Sequence, residues 1–265
     1  MLAHVVHHLR IARELARVGI VRKSQLQLEF WCQVIMDCLW YASHVAVFEV
    51  FYSQVDSIAG WKRHEFRVLL GFLFVSDAFM MIWLTQMWRF GRDLKDGKID
   101  PFRVRPVSTF LLYGFQQFSL EGSTNMLFAL GYLIYGVGIA VPEPTALTAL
   151  ALVGCIALSC WVRVVIVALF SGLEVFLVGS DAMRFISELF HTATDRPMDI
   201  FGARVKAFLI YVVPVGALTH VPAGFLLGRY GGLEILGTVA WLLAFGVAVF
   251  VGWHRALRHY ESAMG

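Results

Sequence analysis

LTALALVGCIALSCWVRVVIVALF, residues 147–170, carries one charged side chain, Arg163, in an otherwise apolar run. About 20 consecutive apolar residues cross the hydrocarbon core of a bilayer as a helix. The stretch therefore reads as a membrane span with an arginine inside it. Five others resemble it, at 30–52, 66–89, 119–141, 204–227 and 233–255. Six spans predict an all-α polytopic membrane protein.

The segments between spans alternate in charge. Of the 22 Lys and Arg, 17 fall in the N-terminal segment, the loops after the second and fourth spans, and the C-terminus. The other three loops hold Lys62, Arg63, Arg67 and Arg229. Basic residues stay on the cytoplasmic side. This asymmetry predicts an even number of spans with both termini cytoplasmic.

Composition agrees. The chain is 58% hydrophobic and 15% charged, with a mean hydropathy of +0.69, which a soluble domain of this size would not carry. The loops leave room for a single membrane domain over 1–265. The net charge of +3 is modest, and no interleaving of basic and aromatic residues points to nucleic acid. Cys32, Cys38, Cys155 and Cys160 all fall within spans without C-x-x-C spacing, which reads as packing. Residues 1–24 hold too many His and Arg for an apolar signal core, so the first span is expected to act as its own insertion signal.

Within residues 2–20, Leu2, Val5, Leu9, Ala12, Ala16 and Ile20 share one helical face opposite a basic side. This predicts an amphipathic helix that lies on the membrane surface or docks a partner. Residues 91–106, GRDLKDGKIDPFRVRP, are too charged for lipid. They predict a short helix from Phe90 to Lys95 that ends near Gly97, followed by punctuation at Pro101 and Pro106. Residues 107–118 read as an interfacial lead-in to the third span. The apolar pattern from Leu147 continues to Gly179, which implies either a tilted, projecting helix or a break near Ser171–Gly172. Residues 181–203 read as a second cytoplasmic stretch. Pro214, Pro222, Gly224, Gly228, Gly231 and Gly232 crowd the end of the fifth span and predict a broken or re-entrant element over 214–232, near the outer face.

Ionisable groups inside spans are costly and mark functional positions by default. They are Asp37, His44 and Glu49 in the first span, Asp77 in the second, Glu121 at the start of the third and Arg163 in the fourth. Asp37 and His44 are seven residues apart and share a face; Glu49 does not join them. Arg163 can pair with Asp37 or with Asp77, and such a pair either fixes helix packing or lines a polar path. Glu49 and Glu121 lie near span ends. Enzyme signatures are missing: there is no H-E-x-x-H and no G-x-S-x-G. The cluster His4, His7 and His8 lacks carboxylate support, so no metal site is expected. Gly91 to Gly97 is one residue too long for a phosphate loop, and Ile99 stands where a hydroxyl is needed. The chain is expected to bind no nucleotide itself.

Three segments carry a family resemblance. GKIDPFRVRPVSTF (97–110) resembles a cytoplasmic segment of bacterial ABC-2 type permeases through Gly97, Asp100, Arg105, Pro106 and Val107. PVGALTHVPAGFLLG (214–228) is similar to the family's outer segment of the fifth span through Pro214, Val215, Pro222, Ala223, Leu226 and Gly228, with His220 where an aromatic is common. RPMDIFG (196–202) matches a segment before that span. The resemblance implies an ABC-2, type V exporter-like transmembrane domain in the bacterial inner membrane. Its energy would come from a separate ABC ATPase, present in two copies, that binds ATP and magnesium. Residues 1–24 would form a connecting helix. The 91–106 loop would couple to the ATPase through Leu94, Gly97, Asp100, Arg105 and Pro106. Pro214, His220 and Pro222 would belong to an outer gate, and a second permease, identical or related, would complete the transporter. Export of a hydrophobic or amphipathic substrate is the default. The competing readings are an ion-coupled carrier using Asp37, Asp77 and Arg163, which would ordinarily show an internal repeat, and an intramembrane enzyme, which would need His and Asp gathered at one depth.

Overall fold

The computed structural model describes residues 27–176, 188–190 and 192–259. The amphipathic segment expected over 2–20, its histidines, and part of the 181–203 stretch lie outside the described residues. The elements, in chain order, are α1 (Gln27–Gln54), β1 (Ser57–Ile58), β2 (Trp61–Lys62), α2 (Arg63–Trp83), a 3₁₀ turn (Thr85–Arg89), α3 (Phe90–Lys95), α4 (Asp100–Arg103), α5 (Thr109–Gly114), α6 (Leu120–Ala140), α7 (Ala146–Glu174), a second 3₁₀ turn (Met198–Ile200), α8 (Ala203–Tyr211), α9 (Gly216–Leu226) and α10 (Gly232–His259). Of these, α1, α2, α6, α7 and α10 are each long and apolar enough to cross a membrane. The protein is an all-α polytopic membrane protein.

Helix α2 is the hub. Residues all round it are buried, from Phe66 to Ile82, as expected of a helix that is apolar on every face. It packs most extensively on α6, and small residues allow the close approach. A Cβ on Gly122 would sit 2.8 Å from the Ile82 backbone nitrogen, and one on Gly71 would sit 2.8 Å from the Leu133 Cα. The link from α1 to α2 is a tight hairpin, with Ala59 (φ 49°) and Gly60 (φ 78°) both left-handed. The α1 face bearing Trp31, Ile35, Met36 and Val47 is exposed and suited to lipid.

Helix α7 starts at a reciprocal cap: the Thr148 N–H donates to Thr145 Oγ1, and the Thr145 N–H to Thr148 Oγ1. It runs unbroken through Ser171–Gly172 to Glu174, a length of about 43 Å against a core of about 30 Å. It therefore projects from the core. Gly172 lies against Trp253, and the Trp253 indole N–H donates to Ser171 Oγ at 3.0 Å. Glu174 reaches Gly91. These contacts define one end of the bundle, here the basic end, which also holds residues 85–108. The other end carries the α1–α2 turn.

The stretch read as a fifth span, 204–227, does not run from end to end. Helices α8 and α9 meet at 104°. One indole touches the chain on both sides of the pair. Trp61 Nε1 donates to Asp199 Oδ2 at 2.7 Å, just before α8, and the Arg229 guanidinium, just after α9, lies 4.3 Å over the Trp61 ring. Both ends of α8–α9 are thus at the turn end, and the pair is a re-entrant hairpin. Glu174 lies at the basic end and Asp199 at the turn end. Gln27 and His259 both remain at the basic end.

The hairpin's prolines have distinct effects. Pro214 lies at the elbow between α8 and α9. Pro222 lies inside α9 and has no N–H for the Leu218 carbonyl four residues earlier. The Ser159 hydroxyl of α7 takes that carbonyl at 2.7 Å. A membrane interior tolerates helix-breaking proline when a neighbour satisfies the freed group in this way.

Cysteines placed at Gly202 and Gly231 are expected to react with a membrane-impermeant thiol reagent from the same face as one at Gly60; a crossing span would put 202 and 231 on opposite faces. Ser159→Ala should destabilise the detergent-solubilised protein by about 1–3 kcal/mol. Adding Pro222→Ala, which restores a donor N–H, should recover most of the loss in thermal melts.

Candidate functional site

At mid-bundle, α7 and α2 are joined by a buried ion pair. Arg163 bonds Asp77 and donates to Ser76 Oγ at 2.6 Å. The two charged side chains are 4% and 12% exposed. Of the two partners open to Arg163 in the sequence, the structure selects Asp77. Arg163 Nε is buried without a hydrogen-bond partner.

The pair divides two clefts. One is lined by Arg163, Phe170, Glu174 and Leu218, the other by Asp37, Tyr41, Asp77 and Asn125. Met80 and Trp88 line both. Asp37 accepts hydrogen bonds from Gln33 Nε2 at 2.9 Å and Asn125 Nδ2 at 2.7 Å.

The other intramembrane groups sit elsewhere. His44 bonds the Trp40 carbonyl at 3.0 Å and lies against the Trp40 ring with the two planes tilted by 39°, so it does not join Asp37. Glu49 is clasped by Arg63 and by Arg67, the latter at 2.7 Å, near the turn end. Glu121 accepts from Ser119 Oγ at 2.9 Å, beside the α6 N-terminus that Ser119 caps.

At the basic end, residues 85–106 fold against the bundle. Phe90, Leu94 and Ile99 are fully buried. Buried Asp93 accepts from the Tyr113 hydroxyl at 2.7 Å and from Gln86 Nε2 at 3.2 Å. Burial raises the Tyr113 pKa, and the Asp93 carboxylate raises it further. Gly97 (φ 70°) ends α3 in the left-handed conformation that glycine favours, and the Lys98 N–H returns to the Asp93 carbonyl at 2.9 Å. Arg103 donates to the Leu257 carbonyl at 3.2 Å, tying the segment to α10. Of the five residues singled out in this segment, Leu94 and Gly97 are buried and Asp100 pairs with Arg103 at 3.3 Å. Arg105 and Pro106 are exposed, next to Val104 at 85% exposure.

Within the hairpin, His220 is 1% exposed. Its Nδ1 accepts the Met198 N–H at 3.2 Å, and its ring lies 5.2 Å from Trp61. Burial opposes the Asp199 charge. The bonds from Lys206 and the Trp61 indole outweigh it and hold the Asp199 pKa below the usual carboxylate value.

A search for ionisable groups missed Ser76, Asn125, Tyr41 and Trp61. The first two are uncharged polar residues inside spans, a signal the sequence does contain. Trp61 has no mark beyond following Gly60. Among the described residues no three His, Cys, Asp or Glu side chains approach closely enough to hold a metal ion.

A bundle of long apolar helices, a re-entrant hairpin at one end and a folded polar segment at the other define a membrane transport domain. The family model described as "ABC-2 family transporter protein" matches residues 38–264, and the chain belongs to that family. It is an ABC transporter permease: members of the family supply the membrane component, carry no nucleotide-binding domain of their own and work with an ABC ATPase. No curated protein matches the chain.

Arg163→Met leaves Asp77 buried without its countercharge. It should lower stability by about 3–5 kcal/mol, and the double variant Arg163→Met/Asp77→Leu should melt close to the parent in detergent.

Proposed function

We propose that this chain is the membrane half of an ATP-driven exporter of amphipathic molecules, powered through residues 91–106. The observation that carries this reading is the two-sided build of that segment. Phe90, Leu94 and Ile99 anchor it in the bundle, while Arg92, Lys95, Lys98, Val104, Arg105 and Pro106 face outward. A rigid element with buried anchors and an exposed apolar and basic surface suits the transfer of a partner's motion to the helices. Leu94 and Gly97 serve the fold of the segment, and Val104 to Pro106 form its docking surface.

The partner is a separate ATPase, two copies per transporter, which holds ATP and magnesium. A second permease, this chain or a related one, completes the pathway. The basic end faces the cytoplasm of a bacterial cell, with both termini on that side: Arg196, Arg204 and Lys206 move with the hairpin to the turn end, and the 13 Lys and Arg of residues 1–23, 89–105 and 255–258 still outnumber the seven there. The hairpin with Pro214, His220 and Pro222 closes the outer side. Asp37, Asp77 and Arg163 line the path between, and two helix arrangements are selected by the partner's nucleotide state.

The test is purification of the tagged chain from its native host in mild detergent. An ABC ATPase is expected with it, and Val104→Asp/Arg105→Glu should reduce its recovery at least tenfold, about 1.4 kcal/mol or more, with membrane insertion unchanged. Deleting 94–100 would remove Leu94 and Ile99 from the core and confuse docking with folding. A parent chain that purifies reproducibly without any ATPase contradicts the proposal and favours an ion-driven carrier.

A further inference from the structure

We infer that the cleft between α1, α2 and α6 is a binding site for a lipophilic organic cation, with Asp37 as its countercharge. As a substrate site it rests on the transporter reading; as a binding site it stands on four observations.

First, the charges in the cleft do not balance. Arg163 neutralises Asp77. Asp37 is held by two side-chain amides, which orient a carboxylate without cancelling its charge. Among the described residues no Lys, Arg or His forms an ion pair with it. A carboxylate at this depth is costly, and a bound cation would offset that cost.

Second, the Tyr41 hydroxyl is buried without a hydrogen-bond partner, on a residue that is 1% exposed and lines the cleft. Burying a hydroxyl in this way is unfavourable. The group is placed to meet a polar part of a ligand.

Third, the walls are chosen for soft, aromatic contact. Trp40, Trp88, Met80 and Met81 line the cleft with Asp37 and Tyr41. Indole faces attract cations more strongly than other aromatic rings, and thioethers adapt to irregular apolar shapes. A hard metal ion needs six or more oxygen ligands or retained waters, which these walls do not offer.

Fourth, the site is reachable: its cavity volume is about 260 Å³, so part of a larger ligand stays outside it. The cleft is open, with Trp40 and Trp88 each 39% exposed, so a ligand can enter from the side.

The test uses radiolabelled tetraphenylphosphonium, with tetraphenylborate as a probe of similar shape and opposite charge. Binding is measured on the purified full chain in detergent, with whatever subunits accompany it. The inference predicts saturable tetraphenylphosphonium binding that Asp37→Asn weakens about tenfold or more, that Asp37→Glu largely keeps, and that tetraphenylborate does not displace. Equal affinity in the parent and in a monodisperse Asp37→Asn variant overturns it. So does the absence of saturable binding, or displacement by the anion. If Asp37→Asn fails to purify as a monodisperse protein, Trp88→Leu decides: it must weaken the cation several-fold, and unchanged affinity overturns the inference. The assay reads binding whether or not an ATPase is present. Loss of the ATPase partner would therefore sink the transporter reading alone, and loss of cation binding would sink this inference alone.

Discussion

The Arg163–Asp77 pair is the constraint around which the interior is arranged. Two charges that deep must face each other, so α7 and α2 have one register in which they pack. Ser76 takes a second hydrogen bond from the same guanidinium and fixes the rotation of α2 as well. Once α2 is set, the glycine contacts place α6 against it. The pair also separates the two clefts, with Asp37 and Asp77 in one and Arg163 and Glu174 in the other. Packing and a polar interior thus come from the same bond, and a choice between the two roles for these residues is not forced.

The second organising fact is the position of Trp61. Its indole holds the chain entering and leaving the α8–α9 hairpin at a single end. The hairpin bends at Pro214 and carries Pro222. The Ser159 hydroxyl of α7 donates to its Leu218 carbonyl, and its own Thr219 hydroxyl donates to the Thr194 carbonyl at 2.9 Å. An apolar element that enters and returns at one end, opposite the folded basic segment, gives the molecule two functionally different ends.

Much of this was legible in the sequence. Five of the six apolar runs are the long helices, because the solvent inside a bilayer leaves few alternatives to an apolar helix. The end of α3 near Gly97 followed from glycine's freedom. The span at 204–227 misled because an apolar run states the solvent of a segment and not its direction. At the site, Asp77 and Arg163 stood out as charges in apolar runs, but their pairing depends on the rotation of two helices, which no local pattern encodes. Asn125 and Tyr41 went unseen because they are ordinary polar residues until the fold brings them beside Asp37. Leu94 and Gly97 stood out within their segment through the family resemblance, but whether a residue anchors a segment or faces a partner depends on tertiary contacts.

The most direct test of the central claim is an electron cryomicroscopy map of the complex purified from its native membrane. The account predicts density for an ATPase against Val104, Arg105 and Pro106, with the α8–α9 hairpin on the opposite side of the detergent belt. An ATPase-free particle, or a hairpin on the same side of the belt as residues 85–106, would contradict it.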